Sequence, residues 1–264
     1  MNILVVLRNL YNNPDPFDEE SLICDSDINV LTEACDIKDS QGGKLTALLV
    51  SESKSDYEKI LKKAASYGAD DVIHAPCDGF DFSDANAFSR LLAKLISSVE
   101  PLPDVVMFGR LAYDGDSVNI STQVAENLCW NRALYSGEVE EITPTLLRFH
   151  KSLDDGGTAT CEVKLPVVIH SVRKRGLRGQ ARIADILRAY NETVLQFIDK
   201  SIVDTAMTFA LNGPLLPTPT QEIPPYLGKT DMKILNGTSD VDTASNIIET
   251  LRTLGFEPKN ISKA

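Results

Sequence analysis

The chain has 264 residues, 43% of them hydrophobic, enough to build one large or two ordinary domains with a sizeable core. Its 26 Lys and Arg against 38 Asp and Glu leave a formal net charge of −12, which disfavours nucleic-acid backbones and anionic lipid surfaces as partners. No apolar run approaches the ~20 residues that span a bilayer, and the apolar opening meets Arg8 and Asn9 without a leader pattern, so the expectation is a cytoplasmic chain with no membrane insertion.

In chain order, residues 3–7, 27–38 and 44–50 read as strand, helix and strand. Residues 56–67 place Ile60, Leu61, Ala64 and Ala65 at helical spacing, and Gly68 stands where a left-handed residue would close that helix. Residues 72–75 read as a strand and 87–98 as a helix, after which Pro101 and Pro103 break the chain before the buried run 105–108. Helices alternating with strands predict an α/β fold, an open and mainly parallel sheet covered by helices on both faces. From Ser136 the rhythm changes: residues 137–142, 146–152, 158–164 and 167–172 are strand-like with no room for helices between them, which predicts antiparallel additions. Asp154-Asp155-Gly156-Gly157 is the strongest hairpin signal among them. A helix is predicted at 183–190. Five prolines between 212 and 225 mark an extended connector, followed by a terminal unit made of residues 232–235 and a capped helix at about 242–254. The expected division is an α/β domain over 1–211 and a C-terminal arm over 212–264.

The five cysteines form no C-x-x-C pair and read as reduced thiols, and the isolated His74, His150 and His170 read as structural rather than as metal ligands. Hydrolase, zinc-protease, P-loop and G-x-G-x-x-G signatures are absent from the sequence. The informative stretch is the buried strand 105–108 running into Gly109-Arg110-Leu111-Ala112-Tyr113-Asp114-Gly115-Asp116-Ser117 and then a helix. Such a strand–loop–helix junction sits where open α/β sheets bind ligands, and amides at the helix start favour a phosphate, with Ser117, Asn119 and Ser121 as polar neighbours. The same residues are also explained without a ligand, with Asp116 or Ser117 as a helix cap and Gly115 as a loop glycine.

Residues 109–126 resemble the G-x-x-A-x-D-G-D-x-x-Q-x-G-x-x-x-A-E segment of electron transfer flavoprotein β subunits. Ala64-Ala65-Ser66-Tyr67-Gly68-Ala69-Asp70 is similar to the family's A-L-A-M-G-A-D, and Asp155-Gly156-Gly157 with Lys164-Leu165-Pro166-Val167-Val168 is similar to its D-G-G turn and K-L-P-A-V strand. The resemblance runs from residue 1 to about 192 and implies an adenine-nucleotide-hydrolase-like nucleotide-binding fold. It further implies a heterodimer in which an α subunit and this chain share FAD, this chain holds AMP or a second FAD, and electrons pass to or from an acyl-CoA dehydrogenase-type protein. It implies no acid, base or nucleophile here. The nucleotide contacts it implies are Val6, Asp27, Gly109, Arg110, Ala112, Asp114, Gly115, Asp116, Ser117, Val118, Asn119, Ile120 and Ser121. Asn119 stands where the family usually has Gln, and Ser121 where it usually has Gly.

The family's N-P-[FY]-[DC]-E entry to the first helix is reduced to Asp27, and its N-E-P-R motif is replaced by the basic run 173–182. The resemblance aligns Ile183 with a leucine that docks into the client dehydrogenase, flanked by Arg178, Arg182 and Arg188. The alternative is a core isoleucine on a helix that also buries Ile186 and Leu187. A stand-alone adenine-nucleotide-binding or sensing protein on the same fold is the rival to the electron-transfer reading.

Overall fold

The short apolar runs and amphipathic stretches fold as alternating β and α elements. A computed structural model describes residues 1–7, 23–54, 56–109, 111–112, 115–116, 118–153, 155–172, 181, 183–213, 235 and 237–255, with the backbone alone for 111–112, 115–116 and 118. In order come β1 (Asn2–Leu7), α1 (Asp25–Gln41), β2 (Lys44–Ser51), α2 (Tyr57–Ser66), β3 (Asp71–Pro76), α3 (Ala85–Ile96) and β4 (Val105–Gly109). A two-residue pair, β5 (Leu111–Ala112) and β6 (Gly115–Asp116), leads into α4 (Val118–Leu128). Then follow β7 (Asn131–Ile142), β8 (Leu146–Ser152), β9 (Thr158–Lys164), β10 (Val167–Ser171), α5 (Ile183–Glu192), β11 (Leu195–Phe197), α6 (Lys200–Leu211) and α7 (Asp240–Thr253). The chain divides into two compact units, Met1–Thr218 and Pro219–Ala264.

The first unit is built on one sheet, in the order β11-β3-β2-β1-β4-β10-β7-β8-β9. Its central strands are apolar at nearly every position because both faces are covered. Ile3, Val5, Leu45, Ala47, Val105 and Met107 face α1 and α2, whereas Leu4, Val6, Leu48, Val106 and Phe108 face α3, α4 and α6. Gly68, with φ +109°, ends the α2 turn as its spacing predicts. Asp84 caps α3 by accepting from the Ala87 amide at 2.9 Å.

Two expectations are corrected. The segment after residue 166 is not part of the antiparallel ribbon: β10 pairs in parallel with both β4 and β7, and only β7–β8 and β8–β9 are antiparallel. Val167 to Ser171 are all buried, the signature of an interior strand, while β9 alternates between exposed and half-buried positions as a ribbon edge does. The expected loop after Gly109 contains the β5–β6 pair, Leu111 opposite Asp116 and Ala112 opposite Gly115.

β11 and α6 had no sequence signal: the strand is three residues long, and the buried stripe of α6 is Val203, Ala206 and Ala210. The end of α6 is held by α3. Arg90 donates through Nε and Nη2 to the Ala210 carbonyl at 2.9 and 2.6 Å. Gly213 lies so close over the guanidinium that a Cβ there would stand 2.5 Å from Arg90 Cζ.

The hairpin expected at 154–157 joins β8 to β9, with Gly156 at φ +84° and the Leu153 amide bonded to the Gly157 carbonyl at 2.8 Å. In the second unit, Ser239 caps α7 through the Asp242 amide at 3.2 Å, and α7 buries no residue. Residues 232–234 of the expected terminal unit lie outside the described residues, as does most of the proline-rich connector. No described helix is long and apolar enough to cross a membrane.

Candidate functional site

β1 pairs with β2 on one side and β4 on the other, so the chain winds away from β1 in both directions, and the carboxyl ends of β1 and β4 form the switch point at which open sheets of this class bind ligands. α1 starts above that edge. Cys24 precedes it in extended conformation, and the Asp27 amide bonds to the Cys24 carbonyl at 2.9 Å. Gly109 ends β4 directly beneath this turn, where an added Cβ would stand 2.5 Å from Asp27 Oδ1 and 2.7 Å from Ser26 Oγ. The glycine is therefore demanded first by the approach of α1, and its consequence is that Ser26 and the buried Asp27 lie on the lip of the sheet.

The structure brings several of the anticipated residues to this edge. Val6 is buried near the end of β1, the β5–β6 pair carries Ala112, Gly115 and Asp116, and the first turns of α4 carry Val118, exposed Asn119, half-buried Ile120 and buried Ser121. Arg110, Asp114 and Ser117 lie outside the described residues.

Sequence reading missed a row of hydroxyls beside them. Gly109 pairs with Ser171 of β10, and Ser171 pairs with Ser136 of β7 across a bulge where Tyr135 takes φ +56°. Ser171 Oγ donates to the buried Glu33 carboxylate of α1 at 2.6 Å, while the buried Ser136 hydroxyl has no partner among the described residues. Ser26, Val30, Glu33 and Ile37 follow helical spacing, so an inward stripe with polar members was present in the sequence.

The anticipated docking residues belong elsewhere, on α5, which packs against α2. Ala189 is buried there, and Lys62 of α2 sits 5.4 Å from the centre of the Tyr190 ring. Ile183 is 77% exposed and Leu187 57%, and Ile186 is exposed too, so the alternative of a core isoleucine is overturned. Small Ala189 lets the helix rest on α2 and turns the larger aliphatics outward. Arg188 is paired at 3.6 Å with Asp185, while Arg178 and Arg182 lie outside the described residues.

A third polar cluster ties β11 to this region. His74 of β3 stacks on Tyr57 at 4.3 Å, with the Phe197 ring edge-on to both, and its Nε2 lies 3.0 Å from Ser51 Oγ. Burial pushes the imidazole pKa down from 6.5 to about 4, against weaker opposing effects of the Ser51 backbone and the Asp78 charge. His170 is also buried and meets Tyr135 edge-to-face at 5.4 Å. Burial, helped by the Asp78 and Asp204 charges, pushes the Cys77 thiol up to about 12, which keeps it protonated and unreactive near neutral pH. Among the described residues no three His, Cys, Asp or Glu are grouped to hold a metal ion.

These features define an α/β protein of the open, doubly covered parallel-sheet class, with a topological switch point between β1 and β4 and an apolar helix face outside it. Residues 17–194 match the electron transfer flavoprotein domain. The electron transfer flavoprotein subunit beta of Thermoanaerobacterium thermosaccharolyticum is 30% identical over 209 residues, 75% of this chain and 78% of that protein. The subunit beta of Clostridium acetobutylicum is 26% identical over 193 residues, covering 73% of this chain and 72% of that protein. The caffeyl-CoA reductase-Etf complex subunit CarD of Acetobacterium woodii is 25% identical over 236 residues, 88% of this chain and 86% of that protein. The chain belongs to the electron transfer flavoprotein family, among its β-type subunits.

Proposed function

We propose that this chain binds an adenine nucleotide, AMP or a second FAD, at the β1/β4 switch point. Paired with an electron transfer flavoprotein α subunit that shares an FAD with it, it relays electrons to or from an acyl-CoA dehydrogenase-type partner. The observation that carries the reading is the convergence of Gly109, the α1 turn with Ser26 and Asp27, the β5–β6 pair and the α4 start at one cleft. The cleft fits a nucleotide: amides at the start of α4 suit a phosphate, and the Asp27 carboxylate suits ribose hydroxyls. A bound flavin supplies the redox chemistry by accepting and releasing electrons. The residues of this chain bind, orient and exclude water, and none of them has to act as acid, base or nucleophile. Mass analysis of the nucleotides released on denaturing the co-expressed heterodimer tests the reading: AMP at about one per β chain beside the shared FAD, or FAD at about two per heterodimer, supports it, and a single FAD with nothing further would end it.

The α5 face is the proposed docking surface. Ile183, Leu187 and Tyr190 are exposed at helical spacing, and the adjoining basic run 173–182 suits an acidic partner. Ile183→Ala should leave the melting temperature nearly unchanged while electron delivery to the dehydrogenase falls about tenfold, the equivalent of ~1.4 kcal/mol of lost docking energy. A fall in melting temperature that tracks the loss of activity would contradict docking.

Residues 212–264 are proposed to pack as an arm on the α subunit. α7 and its cap residue Leu254 expose Val241, Ile247, Ile248, Leu251 and Leu254, an amphipathic face that the described residues of its unit leave uncovered. Amide exchange in α7 should therefore be fast in the isolated β chain and slow at least tenfold in the heterodimer; equal rates would refute the arm. A stand-alone nucleotide-binding chain would leave both apolar faces without a purpose.

A further inference from the structure

The Glu33–Ser171 bond joins α1, whose opening turn lies against Gly109, to the strand that flanks Gly109. Glu33 lies two turns beyond Ser26 on the same stripe of α1, and because helical side chains lean toward the N-terminus its carboxylate reaches back toward the carboxyl edge of the sheet. There it accepts from Ser171 Oγ at 2.6 Å, both residues being buried. Ser171 stands opposite Gly109 in the β10–β4 ladder, and Gly109 in turn touches Ser26 and Asp27. A closed loop of contacts thus runs from Glu33 to Ser171, across the ladder to Gly109, up to Ser26 and Asp27, and back along α1.

A short hydrogen bond to a carboxylate is a costly way to pack two buried positions that Leu and Val would fill, unless it fixes a register. Register matters at this place because the sheet is irregular next door: β7 shifts between its partners of His170 and Ser171, with Tyr135 at φ +56° and the Ser136 hydroxyl buried without a partner among the described residues. A carboxyl end of β10 that slid by one residue would carry Gly109 and the α1 turn with it.

We propose that Glu33 is a positioning residue of the nucleotide cleft, acting through Ser171 to hold the carboxyl end of β10, and hence Gly109 and the Ser26–Asp27 turn, at the geometry that retains the nucleotide. The inference rests on the nucleotide reading above. It goes beyond it by assigning a role to Glu33, which is not among the nucleotide contacts that the resemblance implies.

The test is a double-mutant cycle in the co-expressed heterodimer with two readouts: nucleotide retained per β chain after gel filtration, and melting temperature of the nucleotide-stripped protein. Glu33→Leu should lower retention at least tenfold while the stripped protein melts within a few degrees of wild type. Glu33→Gln, whose amide oxygen still accepts from Ser171, should retain at least half. Ser171→Ala should lose as much as Glu33→Leu, and the double variant should lose no more than either. Retention by Glu33→Leu within twofold of wild type overturns the role, as do additive losses or a Gln variant that loses as much as Leu. Wild-type heterodimer that releases one FAD and no further adenine nucleotide overturns the nucleotide reading and this inference with it, which separates the two failures; in the variants the nucleotide counted is the one beyond the shared FAD.

Discussion

Replacing Gly109 by valine should reduce nucleotide retention by the heterodimer at least tenfold while the α/β core stays folded. The space that a first side-chain carbon would need is already filled: Asp27 Oδ1 at 2.5 Å, Ser26 Oγ at 2.7 Å and the Ser26 backbone carbonyl carbon at 2.8 Å. The first two are side-chain tips that can swing, but the third is backbone, so the opening turn of α1 must lift from the sheet. Overpacking of this kind costs roughly 1–3 kcal/mol, which at roughly 2–4 °C per kcal/mol leaves most of the melting temperature in place. Lifting the turn removes Asp27 from the lip, and a loss of ~1.4 kcal/mol in binding is already tenfold. Far-ultraviolet circular dichroism and mass analysis of released nucleotide check both halves. Equal nucleotide content in variant and wild type would remove the switch point as the site.

Acid should weaken the protein through His74. Its folded pKa of about 4 lies below its ordinary value of 6.5, so between these values the unfolded chain binds a proton that the folded chain does not. Stability from this residue is complete above pH 6.5 and falls as pH drops toward 4, by about 2 kcal/mol between pH 7 and 5. Asp78, held below the usual carboxylate range mainly by hydrogen bonds from Ser53, acts in the same direction but at lower pH. His74→Phe keeps an aromatic ring against Tyr57 and Phe197 and removes the proton. Urea unfolding at pH 7 and 5 should show the loss in wild type and little of it in His74→Phe. An equal pH dependence in both would rule His74 out as the cause.

The parallel core was legible because strands buried on both faces are apolar runs of five or six residues, and the helices between them carry a stripe that recurs every three or four. β11 and α6 were not, since three residues show no period and a stripe of Val203, Ala206 and Ala210 has little contrast with the Thr and Ser around it. β10 was misassigned for a different reason: strand-like residues in succession suggest hairpins, whereas direction is decided by which neighbour a buried strand finds after the chain turns at Pro166. At the candidate site the Gly109 junction and Asp27 were readable from motif resemblance. Ser171 and Ser136 were not, because they come together only when strands about 35 residues apart in the chain lie side by side. The exposure of Ile183 was equally hidden: an isoleucine on an amphipathic helix looks the same whether it faces a core or a partner.

The clamp of Arg90 on the Ala210 carbonyl fixes the point from which the C-terminal segment departs. If residues 212–264 pack on an α subunit as proposed, they would meet it as a tethered ligand, because the residues before them are already fixed to the domain. The second contact would then form at the effective concentration of a tethered group, commonly in the millimolar range, rather than at that of free subunits. Two individually weak contacts would hold as one strong one, and either could release briefly without dissolving the heterodimer.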